Sequence, residues 1–302
     1  MNEIYFGNVL KELRLKKQLS QEKLADGICT KRQLIRIEQN ENLPTGFLLS
    51  ALSKKLNENL EPFLLFANHE NPMEVIELKQ QLDYYFYEKD FVPLMELIDQ
   101  YRSLHPNPPV DFQQYLGWYE GAAKFHLPQY ESPTIEYYID LLKLTMNFTN
   151  LEEACVGFRT LNELNIIHTI IILFYIINNK LVEASQLLPL IIENYLKYYH
   201  KYDINLLGRM YYNLANVYYR LDYYDKALEV CEIGIKTCLQ ERSFAVVADL
   251  FMCKGSILAD QGLMEEATTC AKFFVTLYEM QGKRNQIERV IEQYKALGID
   301  IA

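Results

Sequence analysis

Apolar residues recur at helical spacing along nearly the whole chain. Ile4, Val9, Leu10 and Leu13 share one face of a helix expected over residues 3–17, with Lys and Glu opposite. Ser20 precedes Gln21, Glu22, Leu24 and Ala25, so it is placed to cap a short second helix. Gly27 allows a sharp turn. Thr30 can cap a third helix, running from Lys31 to about Gln39, with Leu34, Ile35 and Ile37 as its apolar positions. Asn40, Asn42 and Pro44 break it. Thr45–Leu56 and the short Leu60–Phe66 complete five helices.

Polar residues cluster at 67–72 (ANHENP), and Pro72 turns Asn71 away from helix, so this stretch reads as a linker. Beyond it the chain reads as helix pairs. Tyr211, Leu214, Ala215, Tyr218, Tyr224 and Ala227 fit the tetratricopeptide pattern at positions 4, 7, 8, 11, 17 and 20. Phe251, Gly255, Leu258 and Ala267 repeat it forty residues later, and an earlier copy runs through Tyr175 to Ala184. Two weaker pairs are expected near 73–103 and 112–146, and a terminal capping helix over 284–297. Ile166–Ile177 is the longest apolar run, twelve residues including His168 and Thr169. A membrane span needs about 20, so this run is expected as a buried helix.

Composition changes this picture in one respect. The 302 residues carry a net charge of -10, which speaks against nucleic acid. The charge is uneven, however. Residues 1–66 hold ten Lys/Arg and eight Asp/Glu, a net of +2, and the remainder carries -12. A mildly basic head precedes an acidic body, so only the head is suited to dock on DNA. The six cysteines form no C-x-x-C pair and none has zinc-ligand spacing. They read as buried small hydrophobes. Paired tyrosines such as Tyr218-Tyr219 and Tyr223-Tyr224 read as packing aromatics. No nucleophile elbow, phosphate loop or metal-binding helix occurs, so neither an enzyme nor a metal or other cofactor is expected.

The strongest motif lies in the head: Leu10, Leu13, Arg14, then Leu19-Ser20-Gln21, Leu24-Ala25, Arg32-Gln33 and Ile35-Arg36-Ile37-Glu38. A helix-turn-helix needs a capped second helix, a tight turn and a third helix with a polar face for the major groove. This stretch resembles the phage-repressor (XRE-type) domain over all 66 residues. The resemblance implies that Thr30, Lys31, Arg32, Gln33 and Arg36 face the groove, and that Gln21 contacts phosphate or base. Lys16 and Lys17 are placed to touch phosphates. Arg14 and Glu38 match a pair that forms a structural ion pair in that family.

The combination of this head, a short linker and helical repeats resembles the peptide-pheromone receptors of Gram-positive bacteria, the PlcR and Rgg type. Tyr211–Ala215 to Cys270–Phe274 is most similar to the PlcR branch. The repeat pattern directs positions 2, 5, 6, 9, 12 and 13 of each first helix toward the concave groove. In the 208–241 repeat these are Arg209, Tyr212, Asn213, Asn216, Tyr219 and Arg220. In the preceding repeat they include Thr169, Ile170, Leu173 and Ile176, and in the last Asp249, Met252, Cys253 and Ser256. An Asn amide can hold a peptide backbone with a donor and an acceptor, and an Arg can take a carboxylate. By the resemblance, Asn213 matches an asparagine that clamps the peptide, while a second such asparagine is Thr169 here.

The expectation is an all-α protein. A five-helix phage-repressor-like domain (1–66) and a linker (67–72) lead into a right-handed superhelix of tetratricopeptide-like pairs (73–302). Its expected role is a cytoplasmic, homodimeric transcription regulator. It would bind double-stranded DNA at two half-sites and a short apolar signalling peptide, as in quorum sensing. Two alternatives stay open: repeats that bind a protein or only dimerise, or a repeat scaffold that modulates another protein.

Overall fold

The computed structural model describes residues 5–69, 71–199, 203–244 and 246–282, with 287, 290–292 and 294–295 beyond them. Every regular element among the described residues is helical. The chain divides into two compact units, residues 1–133 and 134–302.

The first unit begins with α1 (Phe6–Lys16), α2 (Gln21–Ala25), α3 (Lys31–Glu38), α4 (Gly46–Leu56) and α5 (Glu61–Leu65). Three of these start where a hydroxyl can replace a missing backbone partner. Ser20 accepts from Lys23 N, Thr30 from Gln33 N and Thr45 from Leu48 N, each closing the first turn of α2, α3 or α4. Gly27, at φ +75, turns the chain between α2 and α3. Phe6, Leu10, Leu13, Leu24, Leu34, Ile37, Leu52 and Leu56 form one core. Each such side chain contributes about 1.5–3 kcal/mol on leaving water. Gly7 sets how closely α1 approaches α3, since a Cβ there would lie 2.1 Å from the Ile37 carbonyl oxygen.

The expected linker is packed rather than loose. Ala67 O accepts from Tyr5 N at 2.6 Å. His69 is buried, edge-on to both Phe66 and Phe112. Asn71 caps α6 (Pro72–Glu88) through Glu74 N, and Pro72 sits at the first position, where its missing N–H costs nothing. The polar composition of 67–72 reflects this capping and turning, not an absence of contacts. The α6 helix packs on α7 (Phe91–Leu104), and α7 on α8 (Val110–His126).

The second unit holds α9 (Ile135–Lys143), a short α10 (Leu151–Gly157), α11 (Leu161–Ile170), α12 (Leu181–Tyr198), α13 (Ile204–Arg220), α14 (Tyr224–Gln240), α15 (Val247–Asp260) and α16 (Met264–Met280). Here α9 packs on α11, so the pair expected over 112–146 is split between the units. The α13–α14 and α15–α16 pairs follow the repeat pattern. Small residues sit where helices approach most closely: a Cβ on Gly234 would meet Leu250 and Tyr211 at 3.0 Å, and one on Gly255 would meet Cys270 Cβ at 3.2 Å. Most of the expected capping helix lies outside the described residues. Of it, Ile287 and Tyr294 are buried in the core of the last pair.

The apolar run 166–177 is helical but not uniformly so. After Ile170 the helix widens into a π turn, Ile171–Ile176, in which Ile177 N donates to Ile172 O at 3.0 Å. Side chains complete the carbonyls this turn displaces. Asn178 Nδ2 donates to Leu173 O and Phe174 O, and Arg220 donates to Ile176 O. Ile170, expected in an apolar wall, is wholly buried, while Leu173 and Ile176 are half-buried.

Candidate nucleic-acid interface and repeat-domain site

A single buried ion pair organises the head. Arg14 Nε donates to Glu38 Oε1 at 2.6 Å and its second fork to Oε2 at 3.0 Å, with the side chains 7% and 2% exposed. The Glu38 hydrogen bond raises the Arg14 pKa further above its already high ordinary value. Arg14 also donates to Leu19 O at 2.9 Å, and Gln21 Nε2 donates to Glu38 Oε2 at 2.8 Å. One carboxylate thus ties the end of α1, the start of α2 and the end of α3 together. Gln21 is half-buried by this contact.

Along α3 the exposed side chains are Lys31, Arg32, Gln33 and Arg36, with Thr30 occupied as the cap. Lys31 pairs with Glu22, and Arg36 Nε donates to Glu41 Oε2 at 3.0 Å. The Lys31 hydrogen bond holds the Glu22 carboxyl below its usual range. Arg32 is exposed and has no carboxylate partner among the described residues. Lys16 is exposed, and Lys17 pairs with Glu58 at 2.9 Å. The residues expected to meet DNA therefore share one helix and its flanks, but Lys17, Lys31 and Arg36 are already matched by acids. Neither Glu22 nor Glu41 is singled out by sequence pattern. Each acid is brought to its cation by the turns around α3 rather than by helical spacing.

The residues expected to line the repeat site lie on α13 and its neighbours. Asn213 faces α11. Burial, then the nearby Arg209 charge, push His168 down to about 3, so its ring is neutral at pH 7. In the Nδ1–H tautomer its Nε2 accepts from Asn213 Nδ2 at 3.0 Å. Among the described residues, one N–H and Oδ1 of the Asn213 amide remain. Thr169 Oγ1 donates back to Asn165 O at 2.8 Å. Tyr219 OH donates to Asp260 Oδ2 at 2.6 Å, and Arg220 donates to Asn179 Oδ1 at 2.8 Å. Arg209, Tyr212, Asn216 and Leu173 are half-buried. Burial pushes the Tyr212 hydroxyl up to about 12. In the last repeat Asp249 accepts from Tyr278 OH, and Ser256 donates back to Met252 O at 3.2 Å.

Cys253 departs from expectation. It is 4% exposed, in a core with Ala215, Ala227, Cys231 and Ile257. A thiol there is a space-filling contact between α14 and α15. The hydrogen bond with Cys253, then burial, push the Cys231 thiol well up, and burial raises that of Cys270. The repeat pattern places position 6 of a first helix toward the groove, but here the neighbouring helix covers it. A separate groove of about 430 Å³ runs over α14, α15 and α16, lined by Leu228, Phe251, Lys254, Leu258, Cys270 and Phe273. None of the expected binding residues lines it.

No group of three or more His, Cys, Asp or Glu side chains among the described residues is arranged to hold a metal ion. No described helix is long and apolar enough to cross a membrane.

Comparison with known proteins fits this geometry. No curated protein matches the chain in sequence. Its fold is similar to that of Bacillus thuringiensis PlcR, solved in complex with the peptide PapR7 and DNA, at TM-score 0.76 and 19% identity, covering 96% of this chain and 99% of that one. It is similar to ComR from S. thermophilus, solved with DNA and its signalling peptide ComS, at TM-score 0.61 and 20% identity, covering 97% and 100%. The Streptococcus dysgalactiae SHP pheromone receptor Rgg2 matches at TM-score 0.59 and 17% identity, covering 96% and 99%. Residues 10–63 match a helix-turn-helix family model. Residues 79–296 match the RNPP family C-terminal domain, and with that span the chain belongs to the RNPP family.

Proposed function

We propose that this chain is a non-enzymatic, cytoplasmic transcription regulator. Residues 1–66 bind operator DNA, and the helical pairs bind a short apolar signalling peptide that controls promoter occupancy. The observation that carries the reading is α3. It is capped by Thr30 and locked to α1 and α2 by the Arg14–Glu38–Gln21 cluster, yet presents Lys31, Arg32, Gln33 and Arg36 to solvent. Arg and Lys suit guanine edges and Gln suits adenine, while phosphates are left to Lys16, Lys17 and Gln21. The similar PlcR and ComR structures hold both DNA and a peptide. In the repeats, the half-buried face of α13 offers the amides of Asn213 and Asn216 to an extended backbone. A head with little net charge binds weakly alone, so two heads joined through the repeats of a homodimer would meet half-sites about 34 Å apart or multiples of that. A peptide that favours one dimer geometry shifts the population toward it.

The apolar groove over α14–α16, rimmed by the Lys254–Glu232 pair, favours a second reading in which the repeats bind another protein. One experiment separates these. DNA is selected from a random pool by the full chain, with and without the peptide fraction of medium conditioned by the cell that makes it. We predict an enriched sequence whose occupancy changes with that fraction. Arg32→Ala should weaken binding by about 1–3 kcal/mol, and Asn213→Ala should remove the response alone. No enrichment defeats the DNA assignment; enrichment indifferent to the fraction favours the second reading.

A further inference from the structure

Three cations point outward from α3, and two of them are already neutralised. Lys31 is held by Glu22 from α2, and Arg36 by Glu41 from the turn after α3. The four side chains are 50–60% exposed. Pairs this wet contribute little to folding, and the head already has its apolar core and the buried Arg14–Glu38 pair. Their consequence is at the surface. Of the three α3 cations, only Arg32 meets solvent without a carboxylate partner among the described residues.

Sequence-independent affinity for duplex DNA comes from counterion release as cations meet phosphates. A cation held by a carboxylate contributes no such gain unless the pair opens. Phosphate in a random register offers a point contact. Opening an exposed pair costs about 0–1 kcal/mol, which offsets much of the gain from one phosphate contact but only part of the about 1–3 kcal/mol that Lys31 or Arg36 can gain at base edges in the right register. We propose that Glu22 and Glu41 are specificity-determining residues. They hold Lys31 and Arg36 back from random DNA and release them more fully where the correct bases compete. This rests on the DNA-binding function proposed above.

The test uses the full chain and a random-sequence 30-base-pair duplex, with binding followed by fluorescence anisotropy across a salt series. One added phosphate contact contributes about an eightfold gain at 0.1 M salt and steepens the log–log salt slope by about 0.9. Glu22→Gln and Glu41→Gln are each expected to recover part of that gain, up to about fivefold for a pair worth about 1 kcal/mol, with a steeper salt slope. The decisive arm repeats each in a background without its cation. Glu22→Gln on Lys31→Gln, and Glu41→Gln on Arg36→Gln, are expected to yield no gain. An equal gain in both backgrounds means the carboxylates simply repel DNA, and it overturns the proposal, as does no gain in the single variants. A different failure belongs to the underlying function: neither the wild type nor the doubly substituted protein would show any salt-dependent binding.

Discussion

The α3 surface of the head and the α13 face of the repeats are both rows of polar side chains on a helix, yet they are held differently. On α3 the polar row faces water, and its partners are exposed acids that can let go. On α13 the row is mixed: Asn213 meets the buried interior, while Tyr219 and Arg220 at its end are bonded to neighbouring elements at the surface. Asn213 is bonded to a buried neutral His168, Tyr219 to Asp260, and Arg220 to Asn179 and the Ile176 carbonyl. A ligand at α3 competes with water and salt, whereas one at α13 must fit the donors and acceptors that these contacts leave over. The first arrangement suits reading many sequences and choosing among them, the second recognition of one shape.

Three measurements can break or sharpen that contrast. The largest effect is expected at the scaffold behind α3. Arg14→Ala leaves Glu38 buried without its charge partner and should cost about 3–5 kcal/mol of stability in urea unfolding of the full chain. A loss below about 1 kcal/mol would mean that the α3 surface is not preset by this pair. The second concerns the interior of the repeats. His168 sits near 3 in the folded chain against 6.5 ordinarily, so between those values the unfolded chain binds the extra proton. Stability therefore falls as pH drops from about 6.5 toward 3. His168→Gln, which keeps an acceptor but does not titrate there, should flatten that slope by up to about 1.4 kcal/mol per pH unit. An unchanged slope would place His168 in water and undo its role as the fixed partner of Asn213. The smallest is Thr30→Ala, which removes the cap of α3 and should cost about 1 kcal/mol in the same urea experiment. It should also weaken DNA binding only in proportion to α3 fraying.

Much of the head is legible from its residues because its determinants are local. Ser20, Thr30 and Thr45 cap within three residues, Gly27 turns, and the apolar positions of α1 and α3 repeat at helical spacing. The repeat pairs around Tyr211–Ala227 and Phe251–Ala267 are legible for the same reason: close helix crossings demand small residues at known positions. The linker is where composition misleads. Ala67 and His69 look like ordinary loop residues, yet Ala67 is buried in the core of the head and His69 between Phe66 and Phe112. Likewise nothing in the Ile166–Ile177 run announces a π turn, because the carbonyls it displaces are completed from Asn178 and from Arg220, which is distant in sequence.

What the sequence by itself determined is the class of each surface: an all-helical chain, a capped third helix with cationic and amide side chains, and helix pairs carrying an Asn–Arg–Tyr row. Those follow from spacing and local hydrogen bonding. Only the tertiary structure decided which of those groups are available. It paired Lys31 with Glu22 and Arg36 with Glu41, turned Asn213 toward His168, and buried Cys253 against Cys231. Availability depends on contacts between elements. Their residues lie from 5 to 45 positions apart and meet only once the chain has folded.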